Sequence, residues 1–174
     1  TSLDQAVTGS IDDALKLGCA AIGFTIYPGS DHNFSLMEEY RELSLEAKTK
    51  GLAVVLWAYA RGSNISKKGE TAMNIISYAA HMSALLGANI IKVKLPSDFL
   101  EEDPTKAAFE NNNIAIGTLQ ERVAHIKKVA FEGKRLVVFS GGDAKDDNAL
   151  MEEIKAIHLG GGNGSIIGRN CFQR

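Results

Sequence analysis

Two lysines stand one residue apart in an apolar run near the middle of the chain, Asn89-Ile90-Ile91-Lys92-Val93-Lys94-Leu95. The β-branched residues of this run predict a buried strand, in which side chains at positions i and i+2 point to the same face. Lys92 and Lys94 would therefore share one face. Ile91, Val93 and Leu95 would occupy the other.

The shared face of the two lysines suggests a chemistry. Burial disfavours a charged amine, and a second ammonium nearby acts in the same direction. The neutral amine is the species that attacks a carbonyl carbon to form a Schiff base. The pair therefore predicts an imine-forming lysine at this strand. The alternative is that one or both lysines reach solvent at the strand end, as most lysines do.

The composition excludes several classes of partner. The chain has 174 residues, is 45% hydrophobic and 23% charged, and carries a formal net charge of -2, which fits one domain with its own core. This charge argues against a nucleic-acid or membrane surface as partner, and no apolar run is long enough to span a bilayer. Cys19 and Cys171 match no metal-ligand spacing, so we expect no metal, reduced thiols and a cytoplasmic protein.

Strand-like apolar runs alternate with helical patterns along the chain. Strands are predicted over residues 20–27, 52–59, 89–94, 135–139 and 165–167, and helices over residues 10–17, 34–50, 71–86, 118–131 and 146–159. This alternation predicts a parallel α/β sheet. Two architectures have this pattern, the doubly wound open sheet and the (β/α)8 TIM barrel.

The positions of the polar residues favour the barrel. At or just beyond the strand ends lie Tyr27, Trp57, Tyr59, Lys92, Lys94, Ser140 and Arg169. Several strands contribute to the active face of a barrel, whereas an open sheet usually concentrates its site at one switch point. Five strands do not close a barrel. We therefore expect residues 1–174 to form a single barrel domain that lacks its N-terminal part.

One segment departs from the short connections typical of this pattern. Residues 96–117 form a long stretch rich in acidic residues, proline and asparagine. Connections of this length are usually functional lids or disordered. A lid over the lysine and a solvated insertion both remain open.

The preceding strand repeats the spacing of the lysine pair, with Trp57 and Tyr59 at i and i+2. Tyr59 beside a cationic lysine would exchange protons with a substrate carbon or oxygen. We expect Trp57 to act mainly as a packing residue inside the barrel.

Two glycine-containing turns follow the last two strands, Ser140-Gly141-Gly142 and Gly168-Arg169-Asn170. Barrels often bind phosphate with these loops, through backbone N–H groups. Glycines let the backbone approach an anion, and the Arg169 guanidinium would add charged N–H donors.

Five motifs together resemble a known family. They are Thr25-Ile26-Tyr27-Pro28-Gly29-Ser30, Trp57-Ala58-Tyr59-Ala60-Arg61-Gly62, Ile91-Lys92-Val93-Lys94, Ser140-Gly141-Gly142 and Gly168-Arg169-Asn170. In this order they resemble the archaeal-type class I fructose-bisphosphate aldolases, which also occur in bacteria. The resemblance implies a (β/α)8 barrel of which this chain covers strands four to eight. It also implies an aldolase that forms a Schiff base without metal or other cofactor, assembles into homo-oligomers, and uses an aspartate on a first strand absent here.

The resemblance also implies roles for individual residues. Lys92 would form the Schiff base, Tyr59 would transfer protons, and Lys94 would be the neighbouring cation that keeps Lys92 neutral. Trp57 would line the substrate site. A substrate phosphate would be held by Ser140, Gly141, Gly142, Gly168 and Arg169.

The resemblance implies reversible cleavage of fructose 1,6-bisphosphate to dihydroxyacetone phosphate and glyceraldehyde 3-phosphate. A related Schiff-base aldolase or thiolase that acts on another phosphorylated ketose is an alternative. A further alternative is a non-catalytic module that binds a sugar phosphate, in which Lys92 only contacts the phosphate.

Overall fold

In the computed structural model, which describes residues 3–172, five parallel strands form one sheet. The strands are Ala21–Ile26 (β1), Ala53–Ala58 (β2), Ile90–Lys94 (β3), Leu136–Ser140 (β4) and Ser165–Ile166 (β5). Each strand pairs with the next one along the chain, in the order β1-β2-β3-β4-β5. A doubly wound sheet reverses its strand order at a switch point, and this sheet has no reversal. Its order is that of adjacent strands of a (β/α)8 barrel.

Helices connect the strands, and five of them lie where the sequence predicts a helix. They are Ile11–Lys16 (α1), Asn33–Thr49 (α2), Met73–Leu85 (α3), Asp103–Asn111 (α4), Leu119–Val129 (α5), Asp147–Leu159 (α6) and Arg169–Phe172 (α7), with a 3-10 turn at Gly69–Thr71. Ser10 and Thr118 start α1 and α5 with capping boxes, in which the hydroxyl and an acidic side chain satisfy free N–H groups. Helix α2 contacts β1 and β2, and α3 contacts β2 and β3.

The helices cover one face of the sheet. On that face the side chains of Leu56, Ile91, Val93, Val137 and Phe139 are fully buried. Residues between them along each strand are only half-buried or exposed. The lysine strand alternates in this way, which confirms that Lys92 and Lys94 share the face opposite the helices.

On the face opposite the helices, a row of side chains runs across four strands. Thr25 on β1 lies in register with Trp57 on β2, Trp57 with Lys92 on β3, and Lys92 with Val138 on β4. The row brings Trp57 beside Lys92, so strand pairing alone places two of the predicted site residues next to each other.

The segment 96–117, for which no helix is predicted, contains helix α4 at its centre. Pro104 lies in the first turn of α4, where proline is well tolerated. The Arg122 guanidinium on α5 donates to the carbonyl oxygens of Pro96 and Ile116, at 2.9 and 2.8 Å, and so fastens both ends of the segment. The segment is therefore a short helical excursion tied to α5.

Within residues 3–172, no helix combines the length and the apolar character that a membrane crossing requires.

Candidate active site

A cavity of about 720 Å³ opens at the C-terminal ends of the strands, and we call it the strand-end cavity. Of the predicted site residues, those that line it are Tyr59, Lys94, Ser140, Gly142 and Arg169. The other predicted site residues do not line it; they are Lys92, Trp57, Gly141 and Gly168. None of the lining residues that the structure describes comes from residues 96–117.

Lys92 lies beside Tyr59. Its Nζ atom is 5.6 Å from the centroid of the Tyr59 ring, and both side chains are half-buried. Tyr59 follows the end of β2, where its backbone N–H donates to the Ile26 carbonyl at 3.1 Å. The arrangement puts a candidate amine nucleophile close to a phenol that could carry protons.

Trp57 is the penultimate residue of β2, and its indole packs back along the sheet. A Cβ atom on Gly23 would overlap the Trp57 ring, so the indole covers the bare backbone of that glycine. Gly23 pairs with Val55, two residues before Trp57 on its strand, and the ring therefore leans toward the start of β1. This position fits the packing interpretation of Trp57.

Lys94 is held by an acidic residue that the sequence analysis did not single out. Its Nζ atom donates to Oε2 of Glu70 at 2.7 Å, and the two side chains are only 18% and 13% exposed. Glu70 also accepts from Lys67 at 3.0 Å and lies 3.6 Å from the Arg61 guanidinium. The only sequence signal was one acidic residue within a basic loop, residues 61–70.

The ion pair with Lys94 affects the ionisation of Glu70. Burial alone would raise the pKa of Glu70, but the ammonium groups of Lys94 and Lys67 lower the pKa below its ordinary value of 4.5. Glu70 is therefore ionised at neutral pH and offsets the charge of Lys94. Lys94 is expected to act on Lys92 as a neighbouring cation; in the structure this cation is paired with Glu70, and its effect on Lys92 stays a prediction.

The two predicted phosphate turns lie against each other. The Gly141 N–H donates to the Ile166 carbonyl at 3.1 Å and is therefore used within the sheet. The Arg169 guanidinium donates to the Gly142 carbonyl at 2.8 Å and lies 3.0 Å from the Asp143 carboxylate. Ser140 joins the turn to β3, since its Oγ donates to the Val93 carbonyl at 3.4 Å.

Gly168 precedes α7 and accepts the Cys171 N–H at 2.8 Å. It thus fixes the start of the helix that carries Arg169.

A second cavity, of about 670 Å³, lies among α3, α5 and the end of α4. His81 and His125 line it. The Nδ1 atom of His81 forms a hydrogen bond with the Val129 carbonyl at 2.8 Å. Burial lowers the pKa of His125. This cavity is on the helical side of the sheet, away from the lysines, so we place the candidate active site at the strand-end cavity.

Across residues 3–172, no cluster of three or more His, Cys, Asp or Glu side chains is arranged to hold a metal ion.

The Glu70 pair predicts a pH-dependent stability. A carboxyl whose pKa is lowered in the folded state stabilises the fold above its unfolded pKa and loses that contribution as the pH falls through the folded pKa. We expect Glu70→Gln to lower the free energy of unfolding by about 1–2 kcal/mol at neutral pH. The difference from the wild type should shrink in acid, below the ordinary pKa of 4.5.

Urea unfolding at several pH values measures this difference. Glu110→Gln is the matched control, since Glu110 is exposed. A Glu70→Gln effect of equal size at neutral and acidic pH would contradict the charge pairing.

Comparison with known proteins identifies the family. The model of the DeoC/LacD family aldolases matches residues 2–174. The class 1 fructose-bisphosphate aldolase of Halobacterium salinarum is 32% identical over 171 residues, which cover 98% of this chain and 56% of that protein. A Methanocaldococcus jannaschii protein, named fructose-bisphosphate aldolase/6-deoxy-5-ketofructose 1-phosphate synthase, is 30% identical over 88% of this chain and 43% of that protein.

A solved structure gives the same result. A Schiff-base-forming fructose-1,6-bisphosphate aldolase superposes with a TM-score of 0.77 at 29% identity, over 99% of this chain and 60% of that chain. The chain spans about half the length of the curated relatives it matches. The predicted fold class is confirmed, since the five parallel strands match part of a TIM-barrel aldolase. The chain therefore belongs to the DeoC/LacD family of aldolases.

Proposed function

We propose that the protein containing these 174 residues is a class I aldolase. It cleaves fructose 1,6-bisphosphate reversibly to dihydroxyacetone phosphate and glyceraldehyde 3-phosphate. The observation that carries the proposal is the half-buried Lys92 beside Tyr59, in a chain that belongs to an aldolase family. The names of the Halobacterium salinarum relative and of the Schiff-base-forming structure support this substrate and this chemistry.

The proposed reaction balances with these two residues. The Lys92 amine attacks the C2 carbonyl of the substrate. The hydroxyl that results takes a proton from solvent and leaves as water, which gives an iminium ion. With Tyr59 as the phenolate beside the iminium cation, the C4 hydroxyl passes its proton to the Tyr59 oxygen while the C3–C4 bond breaks and its electrons move to the iminium. Glyceraldehyde 3-phosphate leaves, Tyr59 returns the proton to C3 of the enamine, and water hydrolyses the imine to dihydroxyacetone phosphate.

The charges of the strand-end cavity suit a phosphorylated substrate. Five basic side chains and three carboxylates line it, namely Arg61, Lys67, Lys94, Lys145 and Arg169 with Glu70, Asp143 and Glu153. The excess of positive charge attracts and orients an anion. Binding energy from the phosphate groups then positions the ketone against Lys92, which raises the rate. Ser140, Gly141, Gly142, Gly168, Arg169 and Trp57 stay predicted contacts of the substrate.

We propose further that the enzyme is a cytoplasmic homo-oligomer of glycolysis or gluconeogenesis that needs no cofactor beyond the covalent lysine imine. The free, exposed thiols of Cys19 and Cys171 are consistent with a reducing compartment.

The second name of the Methanocaldococcus jannaschii relative supports another candidate on the same scaffold. In this alternative the Lys92 imine forms with a different phosphorylated ketose. A panel of phosphorylated ketoses distinguishes the two candidates, because both predict the same lysine adduct and only the preferred substrate differs.

Borohydride trapping tests the imine. Treatment with dihydroxyacetone phosphate and borohydride, followed by peptide mass spectrometry, should place one reduced triose phosphate on Lys92. Lys92→Met should abolish the adduct, and Lys94→Met should retain it on Lys92. An adduct on Lys94, or none on the wild type, would overturn the assignment; tight binding without an adduct would favour the non-catalytic module.

Tyr59→Phe tests the proton-transfer role. Removal of one hydroxyl should leave imine formation intact, because Lys92 supplies the amine. We expect turnover of fructose 1,6-bisphosphate to fall by roughly 10²- to 10⁴-fold, the usual contribution of a positioned acid or base. A turnover assay and a borohydride-trapping assay on the same preparation measure proton transfer and imine formation separately. Tyr78→Phe is the control, since Tyr78 is an exposed tyrosine of α3, and full turnover in Tyr59→Phe would refute the role.

A further inference from the structure

Asn170 binds the loop that follows β4. Its side chain is 2% exposed, and its Oδ1 atom accepts the Lys145 N–H at 2.7 Å. Its Nδ2 atom donates to the carbonyl oxygens of Gly141 and Asp143, at 3.3 and 3.1 Å. One buried amide thus spans residues 141–145.

Only an amide side chain supplies this combination of bonds. Asparagine has two N–H donors and one carbonyl acceptor, and the loop presents two carbonyl oxygens and one N–H to it. A carboxylate has no donor for the carbonyls, and a hydroxyl has only one. Because the site is buried, water cannot replace a lost bond without cost.

The Asn170 bonds also orient the backbone of the loop. In a trans peptide the C=O of one residue and the N–H of the next point in opposite directions. The carbonyls of Gly141 and Asp143 point at Asn170, and the Gly142 carbonyl points at Arg169. The N–H groups of Gly142, Asp143 and Ala144 therefore point away from these two side chains.

These three N–H groups have no acceptor within residues 3–172. Gly142 has φ = +63°, a conformation that glycine adopts without strain. Successive N–H groups directed to one side of such a turn form a concave site for an anion. The N–H donors that remain available are therefore those of residues 142–144 and not those of the predicted pair, Gly141 and Gly142. The Gly141 N–H already donates to the Ile166 carbonyl.

Two side chains hold the loop, Arg169 and Asn170, and Asn170 stabilises its conformation more. The Arg169 side chain is 53% exposed, and exposed ion pairs contribute little to stability. The buried Asn170 amide contributes more, since each of its bonds leaves an unsatisfied polar group when it is lost.

We propose that Asn170 is a positioning residue: by holding residues 141–145, it directs the N–H groups of Gly142, Asp143 and Ala144 at the phosphate of the substrate. The inference rests on the proposed aldolase function. Asn170 itself does not touch the substrate and acts through the loop.

Trapping with two ketones tests the proposal. Dihydroxyacetone phosphate and dihydroxyacetone form the same imine on Lys92, and only the first carries a phosphate. In Asn170→Asp we expect the half-saturating concentration of dihydroxyacetone phosphate to rise about 10- to 100-fold. The value for dihydroxyacetone should stay at that of the wild type. Asn111→Asp, at the exposed end of α4, adds the same charge elsewhere and should change neither value.

The outcomes separate the two levels of the proposal. A wild type that forms no adduct with either ketone refutes the aldolase function. A wild type that forms the adduct, with an Asn170→Asp variant equal to it for both ketones, refutes the role of Asn170 alone. An equal loss for both ketones also refutes it, since a general disturbance of the fold would have that effect. If Asn170→Asp does not fold, Asn170→Ser, which adds no charge, must show the same selective loss.

Discussion

Successive side chains of a β-strand point to opposite faces, and the rest of this structure depends on that alternation. One face of each strand is buried by helices, with Ile91 and Val93 fully enclosed. The other face must then carry Lys92 and Lys94, whatever their polarity. Register with the neighbouring strand brings Trp57 beside Lys92, and the strand end brings Tyr59 within reach. The placement of Trp57, Tyr59 and Lys92 side by side is thus a consequence of strand pairing and of the strand end that follows it.

Charge compensation determines how the two lysines differ. Lys94 is neutralised by Glu70, which three basic side chains surround. A carboxylate so placed keeps the Lys94 ammonium ordered at the wall of the cavity, where it can contribute to anion binding. No ion pair of Lys92 is found in the part of the chain that the structure describes, and its Nζ atom lies 5.6 Å from the centroid of the Tyr59 ring. The strand therefore presents one compensated cation and one amine without a carboxylate partner.

The sequence was sufficient for features that depend on local periodicity. The order of strands and helices, the shared face of the lysines and the position of Tyr59 follow from patterns within a few residues. Glu70 could not be paired with Lys94 from sequence, because 24 residues separate them and only tertiary packing joins them. Helix α4 has only nine residues and buries none of them, so it is too short to give a clear helical periodicity in the sequence. Asn170 looked like one more turn residue, since its partners lie 25 to 29 positions earlier.

Oxygen exchange tests most directly whether Lys92 forms a covalent imine with a ketone. Imine formation expels the carbonyl oxygen as water, and hydrolysis restores an oxygen from solvent. Dihydroxyacetone phosphate labelled with ¹⁸O at its carbonyl should therefore lose the label faster with the protein than in buffer, and Lys92→Met should return the rate to that of buffer. Loss of label at the buffer rate with the wild-type protein would contradict Schiff-base chemistry at Lys92.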